Sequence, residues 1–166
     1  MSLLTWMLLL IPALIRAGVI IKPPPDPIQP DHGSVQAFPL AYAAAKKLNI
    51  KIIYGMEGYL VNNDKKERPY HIILLAQNLT GLQNLYYLIS ISYMDYFYRK
   101  PKIPRQVLID HREGLLLGSA CQAGELYQAV LQRKSPEEIQ QIAAFYDYLE
   151  IQPISNNTSL DRKSVV

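Results

Sequence analysis

Residues 31–61, DHGSVQAFPLAYAAAKKLNIKIIYGMEGYLV, contain the pattern that decides the fold. An Asp-His-Gly turn leads into residues 34–49, whose apolar spacing and strong helix formers predict a helix with Pro39 in its first turns. Residues 50–61 are rich in β-branched and aromatic side chains, which predict a strand ending near Gly55. A helix followed at once by a strand is typical of an α/β fold.

The rest of the chain continues this alternation of apolar runs and helical patterns. Strands are predicted at residues 70–78, 115–120 and 148–153, and helices at 80–94, 103–114, 124–134 and 135–149. The last helix has a strong start signal, with Ser135 as N-cap, Pro136 in the first turn and Glu138 closing a capping box, and Gly114 is placed to end the helix at 103–114. Continuously apolar strands between helices predict a parallel sheet, open or closed into a barrel, with its chemistry at the carboxyl ends of the strands.

Composition restricts the class of protein. The chain has 166 residues, 49% of them hydrophobic, which is enough for one domain with a core. A net charge of +3 is too small to identify a nucleic-acid-binding protein. Cys121 is the only cysteine, so an internal disulfide is excluded and a cytoplasmic location fits. The apolar run at residues 3–15 is too short to span a bilayer and contains Pro12, so we expect no membrane association.

Several side chains are competent metal ligands, and some of them fall near predicted strand ends. Imidazole, carboxylate and thiolate groups together suit zinc, manganese or iron. The candidates are Asp31, His32, Glu57, His71 and Cys121, and Glu150 also lies near a strand end. Their spacing matches no short metal motif, and each residue taken alone has an ordinary structural role in a turn or a core.

Residues 96–105, YFYRKPKIPR, interleave aromatic and basic side chains. Aromatic rings beside cations can stack on and attract single-stranded nucleic acid. The basic members are Arg99, Lys100, Lys102 and Arg105. The simpler interpretation, a proline-stiffened surface loop with packed tyrosines, is favoured by the residues themselves.

Longer phrases of the sequence resemble one known family. The phrases RPYHIILLAQNLTGLQNLYYLIS, HREGLLLGSACQAGELYQAVL and FYDYLEIQP, together with residues 31–61, resemble the polymerase-and-histidinol-phosphatase (PHP) domain of PolC-type bacterial DNA polymerase III alpha subunits. The resemblance covers residues 31–157 and implies a partial distorted barrel of seven βα units with parallel strands. It also implies a cluster of divalent metal ions held by Asp31, His32, Glu57, His71 and Cys121.

The same resemblance carries expectations about function. The parent polymerase synthesises DNA with Mg²⁺ in partnership with replisome subunits, and its PHP domain is either a metal-dependent 3′–5′ exonuclease or a structural support. A free-standing PHP phosphoesterase and a non-catalytic interaction module remain alternatives.

Departures from the family's pattern predict an incomplete module. The family's first His-x-His pair, its later Asp and His ligands and the polymerase palm are absent from the chain, and residues 62–69 replace an inserted exonuclease. Residues 1–30 do not resemble the family, and we expect them to be out of frame or disordered. We expect residues 158–166 to be a non-native tail, because their end, DRKSVV, back-translates to a sequencing adapter. We therefore expect a gene fragment that is inactive alone.

Overall fold

The computed structural model describes residues 31–49 and 51–151. The interpretations of residues 1–30 and 158–166 lie outside the described residues. The strands of the described part are β1 (Asp31–His32), β2 (Gly55–Val61), β3 (Tyr70–Ala76), β4 (Phe97–Tyr98), β5 (Lys100–Pro104) and β6 (Leu115–Gly118). The helices there are α1 (Phe38–Leu48), α2 (Leu79–Met94), α3 (Arg105–Asp110), α4 (Glu125–Leu131) and α5 (Pro136–Ala143).

The six strands form one mixed sheet. The strands lie in the order β4-β5-β2-β3-β6, and β1 pairs with β2. Strand β3 occupies one edge of β2, so β1 and β5 share its other edge, at residues 56–57 and 59–61 of β2 respectively. Strand β2 is therefore the centre of the sheet, and β1, β3 and β5 are held in place by their pairing with it.

The expectation of parallel strands was wrong for most of the sheet. Strand β2 pairs in parallel with β1 and β5, but β3 runs antiparallel to both β2 and β6, and β4 runs antiparallel to β5. The physical reason is the length of the connection between β2 and β3. Residues 62–69 are too few for the crossover that a parallel pair needs, whereas a short loop joins antiparallel neighbours readily.

Two further strand predictions were wrong in their bounds or type. The strand predicted to end near Gly55 begins there, so Glu57 lies inside β2 and not after it. The run at residues 148–151 forms only an isolated bridge between Tyr148 and Gly118 within the described residues. Likewise, residues 97–104 are a two-stranded hairpin and not a loop, with Arg99 at a positive φ of 62° in its turn.

The helix predictions were confirmed where the local signals were strong. Helix α5 begins with the full capping box, because the Ser135 side chain accepts from Glu138 N while the Glu138 carboxylate accepts from Ser135 N. Helix α2 begins at an Asn78 cap whose side chain accepts from Gly81 N. None of the helices in the described part combines the length and the apolar character that a membrane crossing requires.

The sheet has two chemically different faces, because side chains alternate along each strand and paired residues point the same way. One face, called here the core face, is covered by α2, whose Leu85 and Leu88 are fully buried. The core face carries Met56, Leu60, Ile72, Leu74, Ile103 and Leu117. The other, the polar face, carries His32, Glu57, Tyr59, His71, Tyr98, Lys100 and Lys102.

Candidate metal centre

The Asp-His-Gly turn places one imidazole beside the centre of the sheet. The parallel register pairs Asp31 with Met56 and His32 with Glu57, and Gly33 N donates to Glu57 O at 2.8 Å. Gly33 has a φ of +64°, and a Cβ there would meet a Pro101 side-chain carbon at 2.9 Å. Glycine is therefore required at the third position of the turn, both for its backbone conformation and for the close approach of β5.

Strand pairing also explains why His71 lies next to Glu57. His71 is paired with Tyr59, two residues after Glu57 on the same face, so the two side chains are diagonal neighbours. The His71 Nδ1 atom lies in contact with Glu57 Oε1. The Tyr59 ring meets the His71 ring edge-on, with centroids 5.3 Å apart, and fixes its orientation from the other side.

Cys121 reaches the same point from the loop after β6. Ala120, buried and at a positive φ of 56°, turns the chain, and Gly124 N donates to Cys121 O at 2.8 Å. The loop then lies along β3, where His71 N donates to Ala123 O at 3.0 Å. These contacts leave Cys121 Sγ 3.6 Å from His71 Nδ1. A positive φ at a non-glycine residue is a strained conformation that is frequent at functional sites.

Three donor groups converge as a result. Ligand atoms of Glu57, His71 and Cys121 all lie within 4.8 Å of one another, and His32 Nδ1 lies 3.3 Å from Glu57 Oε1. The His32 side chain is 66% exposed, whereas the Glu57 and His71 side chains are 13% and 22% exposed. The cluster is thus half-buried, with His32 at its solvent side. Asp31, one residue earlier in β1, pairs with Met56 of the core face.

The donor set fits a divalent metal ion. Glu57 Oε1 is buried and forms no hydrogen bond of regular geometry, although His71 Nδ1 and His32 Nδ1 both lie beside it, so a carboxylate oxygen and two imidazole nitrogens face one point where a cation could bind them. Zinc bonds of about 2.1 Å to nitrogen and 2.3 Å to sulfur, in tetrahedral geometry, would separate the two donors by about 3.6 Å. This is the observed separation of His71 Nδ1 and Cys121 Sγ.

The electrostatics of the cluster are those of a carboxylate between imidazoles. Burial raises the pKa of Glu57, but the contacts with His71, and then His32, outweigh it and hold that pKa below its ordinary value. Glu57 is therefore ionised at neutral pH and offers a full negative charge to a cation.

One further carboxylate lies near the cluster. Burial raises the pKa of Glu150, and the negative charge of Glu57 raises it further, while a hydrogen bond with Tyr148 opposes both. The Glu150 backbone N–H is anchored on Ser119 Oγ at 2.9 Å, just before Cys121. The position of Glu150 near a predicted strand end pointed towards the site, but the family's ligand motifs do not include it.

The four basic candidates for nucleic-acid binding separate into two pairs. Lys102 is only 4% exposed, and its Nζ donates to the backbone oxygens of Lys65 and Glu67, so it holds the loop between β2 and β3. Burial lowers the pKa of Lys102. Arg105 donates to the Glu125 carboxylate at 2.6 Å and is likewise committed to structure.

The other pair, Arg99 and Lys100, is exposed in the turn of the β4–β5 hairpin. Lys100 Nζ lies 4.4 Å from the centroid of the Tyr59 ring, and Arg99 Cζ lies 5.6 Å from that of Tyr98. Both cations face rings of the polar face and are open to solvent.

The fold and the cluster agree with the comparison with protein families. A family model described as the PHP domain matches residues 30–153, which is most of the chain. The chain therefore belongs to the PHP domain family.

Two similar curated proteins are both described as DNA polymerase III of the PolC type. The chain is 55% identical over 111 residues to a DNA polymerase III PolC-type of Clostridium perfringens, covering 66% of this chain and 8% of that protein. It is 58% identical over 92 residues to the DNA polymerase III PolC-type of Bacillus subtilis, covering 55% and 6%. The resemblance found in the sequence is thereby confirmed, and the chain spans less than a tenth of the length of these relatives.

Proposed function

We propose that this chain is the PHP module of a PolC-type DNA polymerase III alpha subunit. The alpha subunit as a whole would act on DNA in the cytoplasm, with Mg²⁺ at its polymerase site and with replisome subunits as partners. The similarity to PolC-type relatives over the PHP region supports this proposal. The intact module would be a distorted (βα)7 barrel, and the mixed sheet described here would be part of it.

We further propose that the cluster holds a divalent metal ion, zinc, manganese or iron, and serves phosphodiester hydrolysis at a DNA 3′ end. The observation that carries this proposal is the convergence of Glu57, His71 and Cys121 from three separate elements. His32, adjacent to Glu57, extends the proposed ligand set. Asp31 is included on the family's motif alone, because its partner in the sheet, Met56, lies on the core face. A bound divalent ion supplies a Lewis acid and a hydroxide source near neutral pH.

The chain's own residues prepare the site for that chemistry. The ionised Glu57 offers charge, the Ala123 carbonyl and the Tyr59 ring hold His71 in place, and the Ala120 turn directs the Cys121 thiol inward. In the described part of the chain, the site offers three closely spaced ligand groups, from Glu57, His71 and Cys121, and the exposed imidazole of His32. A cluster of several metal ions needs more ligands than these. We therefore expect the chain as given to bind metal weakly and to hydrolyse DNA slowly or not at all.

The test is a metal titration of the chain and of matched histidine variants. His71→Gln and Cys121→Ser should each weaken Zn²⁺ or Mn²⁺ binding by at least about 10-fold. His111→Gln is the control, because His111 packs on Tyr87 with ring centroids 4.1 Å apart and is not one of the clustered donors. With Co²⁺, a thiolate-to-metal absorption band should appear and be lost in Cys121→Ser.

The outcomes separate the candidate functions. Equal metal affinity in the chain and in His71→Gln would contradict the metal centre and favour a structural module. Release of label from a 3′-labelled single strand should be slow in the chain and faster in a full-length PHP domain that lacks the inserted exonuclease. Hydrolysis of a small phosphate monoester in preference to DNA would instead favour a free-standing phosphoesterase.

A further inference from the structure

Exposed aromatic rings from the β4–β5 hairpin and from the end of α2 lie side by side. Phe97 and Tyr98 are 49% and 39% exposed, and Tyr93 at the end of α2 is 47% exposed. The rings of Tyr93 and Phe97 are stacked, with centroids 6.0 Å apart and planes inclined by 22°. Large aromatic side chains that remain in water side by side mark surfaces used for binding.

The same hairpin carries two cations without acidic partners. Among the described residues, neither Arg99 nor Lys100 forms an ion pair with a carboxylate, although Lys102 and Arg105 nearby are fully engaged. Arg99 is held at a positive φ of 62° in the turn, a strained backbone for this residue type. Charge and exposed rings therefore occur together in four consecutive residues.

A continuous row of side chains joins this hairpin to the metal centre. Lys100 Nζ lies over the Tyr59 ring, and the Tyr59 ring abuts the His71 ring. Strand register places all three on the polar face. Tyr59 itself is buried, so a ligand in contact with His71 could pass it and reach Lys100 and the exposed aromatic rings without leaving that face.

From this arrangement we infer that the hairpin Phe97–Lys100 binds single-stranded nucleic acid next to the metal centre. Arg99 and Lys100 contact phosphates, and Phe97 and Tyr98 stack on bases, a combination that suits single strands because their bases are unpaired. Lys102 and Arg105, proposed with them from the sequence, do not take part. The inference rests on the proposed function, since it supplies the path by which a DNA 3′ end approaches the metal centre.

The first experiment measures binding of a fluorescent dT20 strand to the whole chain in EDTA, so that neither metal nor hydrolysis contributes. Arg99→Gln with Lys100→Gln should weaken binding and flatten the dependence of log K on log salt by about 1.4, the value for two lost phosphate contacts on a single strand. Lys46→Gln with Lys47→Gln removes the same charge from the exposed end of α1 and should leave binding unchanged.

The second experiment tests stacking. Phe97→Ala should weaken dT20 binding by about 5- to 150-fold, the range for one lost stacked base, with an unchanged salt slope. An abasic strand of equal length and charge should bind Phe97→Ala and the unchanged chain equally. Circular dichroism checks that each variant is folded.

Each further outcome bears on one proposal only. Unchanged dT20 binding in both hairpin variants, equal loss in the α1 control, or equally strong binding of duplex DNA or of an acidic peptide would overturn the hairpin inference. His71→Gln should bind dT20 as the unchanged chain does. Unchanged metal affinity in His71→Gln, with intact dT20 binding, would therefore contradict the metal centre and leave the hairpin inference standing.

Discussion

The two faces of the central sheet are made from the same strands but are stabilised in different ways. On the core face, Leu60, Leu74 and Leu117 are completely buried within the hydrophobic core cluster. On the polar face, Glu57 and Lys102 are buried or half-buried and are held by specific polar contacts. The difference shows that a strand period of two lets one segment serve stability and chemistry at once.

The energetic consequences of the two faces differ accordingly. A buried leucine contributes about 1.5–3 kcal/mol by leaving water, whatever its partners. A buried charge stabilises the fold only while its hydrogen bonds are made, and it becomes costly when they are lost. Substitutions on the two faces should therefore differ in size and in kind, from large packing effects to small effects that depend on pH.

The largest effect is expected on the core face. Leu74→Ala should lower the free energy of unfolding by about 2–5 kcal/mol, because Leu74 is fully buried and its removal leaves a cavity. Leu75→Ala, one residue on and on the opposite face, should cost about 1 kcal/mol, because Leu75 is only partly buried. Guanidinium denaturation of both variants measures the difference, and equal losses would show that the two faces are packed alike.

The next effect concerns the buried cation of the polar face. Lys102→Met should cost about 1–3 kcal/mol, because the carbonyls of Lys65 and Glu67 lose their donor. Lys100→Met, two residues earlier on the same face, should change stability by less than about 0.5 kcal/mol, since Lys100 is exposed. Similar stability changes in the two variants would remove the distinction between a structural and a free lysine.

A smaller effect is expected at the turn that holds β1 against β2. Gly33→Ala should cost about 1–2 kcal/mol, because alanine disfavours a φ of +64° and its Cβ would crowd Pro101. Ser34→Ala, at the next position, is the control and should cost less. Thermal unfolding of both variants measures the effect, and a Gly33→Ala protein as stable as the control would show that the turn can relax.

The smallest effect depends on pH and lies in the loop beneath Lys102. Backbone N–H groups of Asp64, Asn62 and Asn63 donate to the Glu67 carboxylate and hold its pKa below the ordinary 4.5. Because the folded-state pKa is depressed, this stabilisation is present above pH 4.5 and is lost as the pH falls through the folded-state value. Glu67→Gln should therefore flatten the decline in stability below pH 4.5.

The control for this prediction is Glu113→Gln, which removes an exposed carboxylate elsewhere. Urea midpoints between neutral and acidic pH compare the two variants with the unchanged chain. If stability falls as steeply at acidic pH in Glu67→Gln as in the control, the Glu67 carboxylate does not contribute to the pH dependence of stability.

The sequence predictions were accurate where a structure depends on residues close together in the chain, and less accurate where it depends on residues far apart. Helix α5 was predicted from its capping box, Ser135 and Glu138, and helix α2 from apolar residues that recur every three or four positions, and both signals act within about one turn of the chain. The direction of β3 was not, because an apolar run is the same in a parallel and an antiparallel strand. Treating β2 and β3 as continuously apolar also hid the alternation of Glu57 and Tyr59 with core residues.

For the candidate site, the residue types came from the sequence and their arrangement from the fold. The family's ligand motifs named His32, Glu57, His71 and Cys121, but composition and spacing alone predicted no shared site. The sequence also did not distinguish Lys100 from Lys102, which lie two positions apart. In the structure, the amine of Lys102 donates to two backbone carbonyls, whereas the amine of Lys100 is exposed.

By itself, then, the sequence determined the family, the helices and the set of candidate donor groups, because these depend on residue identity and on neighbours along the chain. The tertiary structure decided the strand directions, the two faces of the sheet and the meeting of Glu57, His71 and Cys121. These features depend on contacts between residues far apart in the chain. Such contacts are selected by loop length, strand register and burial acting together across the whole sheet.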